Sequence, residues 1–141
     1  MSGAEIGYEM NTVAASFYNN YLAAGYAGDD GGSYQATGVA GTVLAGLTMN
    51  FPASTTMYSV DYPDKLSSFS GSTVAATYTN GGSGNAAVQF SGGSPTRAII
   101  NLGFPFEAIN STATQNQIMN AAKIFFNVTE PVSDVENWEL Y

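Results

Sequence analysis

The fold is decided by the stretch Thr96-Arg97-Ala98-Ile99-Ile100-Asn101-Leu102-Gly103-Phe104-Pro105-Phe106-Glu107-Ala108-Ile109, in which an apolar run, a turn and a single acid follow one another. Residues 98–102 form a short run with β-branched side chains, a pattern typical of a strand covered on both faces. Gly103 permits a sharp turn after this strand, and Pro105 ends its ladder. In an open α/β sheet, ligands collect at the carboxyl end of a central strand. Glu107 is therefore the first candidate site residue.

The patterns outside this stretch predict both helices and strands. Apolar residues at helical spacing predict helices over residues 11–22 and 114–126. Two alternating runs, 72–79 and 86–90, are joined by a glycine-rich linker, which predicts a β-hairpin. We therefore expect an α/β domain that has a mixed, partly parallel sheet, an antiparallel hairpin and flanking helices.

Composition indicates one domain and excludes several functions. The 141 residues are 45% hydrophobic, which is enough for one core. With three basic and eleven acidic residues, the chain has too few cations to follow a phosphate backbone, so we expect no nucleic-acid partner. The absence of Cys and His removes thiol nucleophiles, the usual zinc sites and every triad that needs imidazole. No apolar run approaches the roughly 18 residues of a transmembrane helix, so we expect no membrane span.

The segment 27–33 is a short acidic loop with two interpretations. Asp29 and Asp30, together with backbone carbonyls, have the hard oxygen ligands that a calcium ion prefers. The same segment is also typical of a solvated turn rich in Asp and Gly. The two acids are adjacent and lack the spaced pattern of a dedicated calcium loop. The solvated turn is therefore favoured, and calcium is the one cofactor that we consider.

The order Gly-Phe-Pro-Phe-Glu-Ala-Ile at 103–109, followed by a helix that ends Ile-Phe-Phe at 124–126, resembles the last segment of the class I glutamine amidotransferase-like, flavodoxin-like α/β domain. Residues 2–7, 17–22 and 58–64 extend the resemblance over most of the first 127 residues. The resemblance is closer to a non-catalytic version found in secreted bacterial multi-domain proteins. It implies that residues 1–127 are the C-terminal part of such a domain, completed by the remainder of a larger polypeptide or by another copy of the chain.

The resemblance also implies that the chemistry of the family is absent. Active members carry a cysteine on a turn after a strand, and a His-Pro-Glu motif after the late strand completes a triad. Here the corresponding turn, residues 2–7, contains Glu5 but no Cys, and the late motif keeps only Glu107. Hydrolysis of glutamine by that mechanism is not available. If the two segments are neighbours, backbone donors of the 2–7 turn would hold Glu107, while Asp64 would lie on an exposed turn.

The acidic tail, residues 128–141, is treated as a linker. It contains four of the eleven acids, and residues 134–141 resemble the lead-in to a type IX secretion sorting domain. That resemblance implies an extracellular or cell-surface location. Trp138 of the tail is a candidate ligand-binding residue.

Three functions remain open. The first, which we favour, is a non-catalytic structural or accessory domain of a secreted or cell-surface bacterial protein, and not an enzyme. The second is a glycan-binding module that stacks aromatic side chains on sugar rings. The third is a hydrolase that pairs Asp61 with Asp64, or Glu5 with Glu107. The aromatic residues considered for the second function are Tyr8, Tyr18, Tyr21, Tyr26, Tyr34 and Trp138.

Overall fold

The computed structural model describes residues 1–55 and 59–128. Its helices are α1 Ile6–Val13, α2 Ala15–Asn20 and α3 Thr112–Phe125, with a 3-10 helix at Phe106–Ala108. Its strands are β1 Ala24–Gly28, β2 Gln35–Gly38, β3 Thr48–Asn50, β4 Lys65–Ser68, β5 Thr73–Tyr78, β6 Asn85–Gly92 and β7 Arg97–Leu102. None of the helices in these ranges has both the length and the apolar character needed to cross a membrane.

The seven strands form one sheet with the order β1-β4-β6-β5-β2-β3, and β7 also pairs with β6. β5 pairs with residues 85–89 of β6, so β5 occupies one side of this strand. β7 pairs with residues 87–92 of β6 on the other side, and β4 pairs there only at Asn85. β7 and β4 therefore pair with successive parts of the same edge of β6.

The predicted mixed, partly parallel α/β sheet is wrong, because every pairing between the named strands is antiparallel. Short turns join β5 to β6 and β6 to β7, whereas parallel neighbours need a crossover of about a dozen residues or more. The apolar run was also misleading, since residues 97–100 of β7 are only half-buried. Among the described residues, the parallel contact is a single bridge between Ser2 and Leu102.

The local predictions fared better than the fold class. The hairpin over 72–90 is confirmed as β5 and β6, the strand over 98–102 as β7, and the helix over 114–126 as α3. Ser111 caps α3 because its Oγ accepts a hydrogen bond from the Thr114 N–H at 3.2 Å. The single helix over 11–22 is wrong: the structure has two short helices, separated at Ala14, where φ is −151°.

The main core lies around Phe104, which is fully buried after the end of β7. Its ring stacks on that of Phe51, with 4.4 Å between the centroids and 8° between the planes. A smaller cluster joins Tyr18 of α2 to Leu66 of β4 and Val88 of β6. The chain therefore turns at Gly103 in order to place an aromatic side chain in the core.

We expect Phe104→Ala to lower the free energy of unfolding by about 3 to 5 kcal/mol, because it removes a buried ring and leaves a cavity. Ile124→Ala is the matched control, since Ile124 is 82% exposed on α3. This control should change stability by less than about 0.5 kcal/mol. Urea melts of both variants measure the difference, and similar midpoints would contradict the position of Phe104 in the core.

Candidate functional site

An open cleft of about 620 Å³ lies beyond the end of β7, where three segments of the chain meet. The segments are the turn before α1 (residues 2–6), residues 59–62 and the start of the 3-10 helix after β7. Each segment contributes one acidic residue, Glu5, Asp61 and Glu107 respectively, and none of the described residues that line the cleft is basic. We call this site the acidic cleft.

The position of the acidic cleft follows from how the first two residues bind β7. The N-terminal ammonium group of Met1 donates to the Ile100 carbonyl at 2.8 Å, and the Leu102 N–H donates to the Met1 carbonyl at 2.9 Å. These bonds hold the following turn beside the end of β7. The structure thus brings Glu5 and Glu107, two residues singled out from the sequence, to one cleft.

Tyr62 also lines the acidic cleft, and the sequence analysis did not single it out. Its side chain is 55% exposed, and its backbone is left-handed with φ of 58°. A residue before proline normally adopts an extended conformation, and a left-handed backbone costs on the order of 1 to 3 kcal/mol outside glycine. The sequence feature that could have indicated Tyr62 is the segment Asp-Tyr-Pro-Asp at 61–64, in which an aromatic residue and a proline stand between two acids.

Asp64 follows the acidic cleft in sequence, but its side chain is fully buried. Its Oδ2 accepts a hydrogen bond from the Gly7 N–H at 2.6 Å. Its backbone N–H donates to the Gly103 carbonyl at 2.8 Å, and its carbonyl accepts from the Tyr78 hydroxyl at 2.8 Å. Asp64 therefore joins α1, β5, the end of β7 and the start of β4.

The Asp64 side chain caps the N-terminus of α1, although Asp64 is distant from this helix in the sequence. Glu5 occupies the N-cap position of α1, but it has φ of 63° and makes no side-chain capping bond. Because Asp64 accepts the Gly7 N–H instead, the Glu5 carboxylate remains available to line the acidic cleft. The N-terminus of a helix carries a partial positive charge, which also stabilises an acidic side chain at this position.

The structure gives Asp64 a role that was predicted for Glu107. Backbone donors of the 2–7 turn were expected to hold Glu107, whereas the Gly7 N–H donates to buried Asp64 and the Glu107 side chain is exposed. The prediction of an exposed turn at Asp64 is wrong because β4 begins at Lys65 and pairs inside the sheet. That pairing is a long-range contact with no local sequence signal.

Burial raises the pKa of Asp64 to about 6, and the nearby charges of Glu5 and Asp29 act in the same direction. Hydrogen bonds from the Gly7 and Tyr8 N–H groups lower the pKa but do not offset burial. Within the described residues, Oδ1 of Asp64 has no hydrogen-bond partner. Asp64 therefore changes charge near neutral pH while remaining inaccessible to a ligand in the acidic cleft.

The loop with Asp29 and Asp30 makes hydrogen bonds to itself. The Asp30 N–H donates to Asp29 Oδ1 at 3.0 Å, and the Gly32 N–H donates to Asp30 Oδ1 at 2.8 Å. In the parts of the chain that the structure describes, no three acidic side chains come together as metal ligands. These residues thus give the calcium interpretation no support, and the turn chemistry accounts for both acids.

The aromatic candidates are dispersed over the molecule. Tyr18 is only 2% exposed and belongs to the core, so it is wrong as a sugar platform. Tyr8, Tyr21 and Tyr34 are exposed, but none of them lines the acidic cleft. Tyr26 packs edge-to-face against Tyr8, with 5.8 Å between the ring centroids. Trp138 lies outside the described residues.

Asp64→Ala should lower the free energy of unfolding by about 1 to 3 kcal/mol at pH 4.5, because the Gly7 N–H is then buried without an acceptor. We expect a smaller loss for Glu107→Ala, since the Glu107 side chain is exposed. Denaturant melts of the two variants under identical conditions test this order. A larger loss for Glu107→Ala would contradict the assignment of the capping role.

The second prediction for Asp64 concerns pH. Its pKa in the folded chain, about 6, exceeds the ordinary value of 3.8, so its contribution to stability is fully present below pH 3.8. That contribution is lost as the pH rises through about 6. Relative to Asp64→Asn, which cannot ionise, the wild-type chain should lose on the order of 2 kcal/mol between pH 4 and 7. Urea melts at half-unit pH steps measure this, and parallel curves would contradict it.

Comparison with known proteins adds no family to this geometry. No family model, no curated protein and no solved structure matches the chain. The amidotransferase resemblance and the resemblance of the tail to a secretion signal therefore remain expectations from the sequence. The contacts of the acidic cleft itself are the basis on which its function is inferred.

Proposed function

We propose that this chain is a non-catalytic accessory domain of a secreted or cell-surface protein, and that the acidic cleft receives a positively charged segment of a neighbouring polypeptide. The observation that carries the proposal is that three acidic residues, from three segments of the chain, line the cleft, and that no basic residue is among its described lining. A cleft with charges of one sign concentrates ligands of the opposite sign.

The charge of the whole chain supports the same ligand. Its net charge is −8, so the field around the cleft attracts cations and repels anions. Lysine and arginine side chains combine a positive charge with an apolar stem. Tyr62 and Pro105 in the cleft wall offer an apolar surface beside the carboxylates, which suits such stems.

Catalysis by paired acids receives less support from the geometry. Asp61 and Asp64 do not form a working pair, because Asp61 lines the cleft whereas Asp64 is fully buried. Glu5 and Glu107 do share the cleft. The pKa of Glu5 is raised, chiefly by desolvation and then by the charges of Asp29 and Glu9. Both side chains are nevertheless exposed, whereas a carboxyl kept protonated for acid catalysis is normally in apolar surroundings.

Glycan binding is the second candidate, and Tyr62 is the observation that favours it. An exposed aromatic ring on a left-handed backbone beside three carboxylates resembles a platform for a sugar ring with acceptors for its hydroxyl groups. Strained backbone conformations cluster at active sites and at ligand-binding segments. In this alternative the ligand would be neutral, and its binding would depend on Tyr62 more than on salt.

The proposal is tested by titrating the protein with a pentalysine peptide at low salt. We expect binding that weakens with added salt and that falls about tenfold or more in the double variant Glu5→Gln/Glu107→Gln. The control, Glu9→Gln/Asp30→Asn, removes the same charge from residues that do not line the cleft, and it should retain most of the affinity.

Equal loss in both double variants would contradict the cleft as the site. Binding of a neutral oligosaccharide that is abolished by Tyr62→Ala would favour the glycan alternative. Hydrolysis of glutamine or of a glycoside, present in the wild-type protein and lost in Glu5→Gln/Glu107→Gln, would contradict the non-catalytic proposal.

A further inference from the structure

A second cavity, of about 420 Å³, lies at the first residue of β7, the end of the strand away from the acidic cleft. It is lined by Tyr21, Gly93, Ser94, Pro95 and Arg97. We call it the Arg97 pocket. Its volume falls within the range of small-molecule sites, about 300 to 1,000 Å³.

Arg97 is one of only three basic residues in a chain with eleven acids, yet none of the described residues forms an ion pair with it. Its one hydrogen bond within these residues runs from Nη2 to the Asn20 carbonyl, at 2.6 Å. Its Nε is buried and has no acceptor there. A guanidinium group has five N–H donors, so most of its capacity to bind an anion is unused.

Aromatic rings hold the guanidinium in place. It lies 5.0 Å from the centroid of Phe90 and 5.9 Å from that of Tyr21. Tyr21 is 61% exposed and stacks on Phe17, with 5.6 Å between the ring centroids. An ordered cation thus stands beside an exposed aromatic surface, and no rearrangement is needed before a ligand binds.

The hydrogen bond to Asn20 and the contacts with Phe90 and Tyr21 explain part of this arrangement, but they leave donors of the guanidinium unused. A buried N–H without an acceptor costs about 1 to 3 kcal/mol, and an apolar side chain between Phe90 and Tyr21 would avoid that cost. The Nη donors that the Asn20 carbonyl leaves unused are available to an anion in the pocket. Carboxylates match the planar guanidinium fork, because they accept two parallel hydrogen bonds from it.

We propose that the Arg97 pocket binds a hexuronic acid residue of an acidic polysaccharide. The guanidinium of Arg97 binds the carboxylate of the sugar, and the exposed ring of Tyr21 stacks on the apolar face of the pyranose. Gly93 has no side chain and lets the ligand approach the backbone, while the Ser94 hydroxyl and nearby backbone groups are partners for sugar hydroxyls. This proposal is independent of the acidic cleft, which lies at the other end of β7.

The test is a titration of the ¹⁵N-labelled chain with trigalacturonic acid, and with its neutral galactose counterpart as the matched ligand. We expect trigalacturonic acid to shift the amide signals of residues 93–97 and of Tyr21, and the neutral trisaccharide to bind about tenfold or more weakly. Arg97→Lys keeps the charge but loses the planar fork, and Tyr21→Ala removes the exposed ring. Each should weaken binding about tenfold or more.

Lys123→Gln removes one positive charge from α3, outside the pocket, and should leave the affinity unchanged. Tyr21→Ala keeps the test decisive if Arg97→Lys unfolds, because Tyr21 is mostly exposed. Absence of binding to the wild-type chain, or wild-type affinity in both pocket variants, would overturn the proposal. Equal affinity for a dipeptide that offers only its C-terminal carboxylate would overturn the sugar as the ligand.

Discussion

The hydrogen bond from the Gly7 N–H to the buried carboxyl of Asp64 is the contact on which the site depends. It caps the N-terminus of α1 with an acceptor that the helix itself does not supply, and it fixes α1 to the start of β4. The turn before α1, which contributes Glu5, then forms one wall of the acidic cleft. A buried acid with one unpartnered oxygen is costly, and the anchoring of α1 gives a reason for its position.

The geometry of β6 determines where the two cavities lie. This strand pairs with β5 on one side and with β7 and then β4 on the other, while Met1 and Ser2 bind the free edge of β7 near its end. The acids of the cleft lie beyond this end of β7, and Arg97 lies at its other end. One strand thus separates a negative site from a positive one, which allows two ligands of opposite charge on one small domain.

Local sequence patterns were sufficient for single elements but not for the topology. The hairpin and α3 follow from turn residues and from the 3.6-residue period, which are properties of adjacent residues. The direction of β7 relative to its neighbours is not local, and the run Ala98–Leu102 reads equally well in either orientation. An apolar run suggested burial on both faces, whereas residues 97–100 of β7 are half-buried.

The sequence predicted only part of the candidate site, for the same reason. Glu5 and Glu107 stood out as isolated acids beside turns, and the structure brings them to one cleft. Asp64 was interpreted as a solvated turn residue because Pro-Asp sequences usually occur in turns. Its burial depends on a bond to Gly7, 57 residues away, which no window of neighbouring residues contains. Arg97 was not predicted as a site residue because a single basic residue forms no recognisable sequence motif.

Gly103 packs so closely against the carbonyl of Asp64 that a β-carbon would overlap it, and a β-carbon at Gly7 would lie 3.0 Å from the Asp64 carboxyl. The backbone at position 64 therefore leaves no room for a side chain at Gly103, and the buried carboxyl of Asp64 leaves little room for one at Gly7. In a diverged homologue whose overall identity has faded, this Gly-Asp-Gly triplet should outlast the surface residues. These three residues can therefore serve as a sequence signature for remote homologues of this fold.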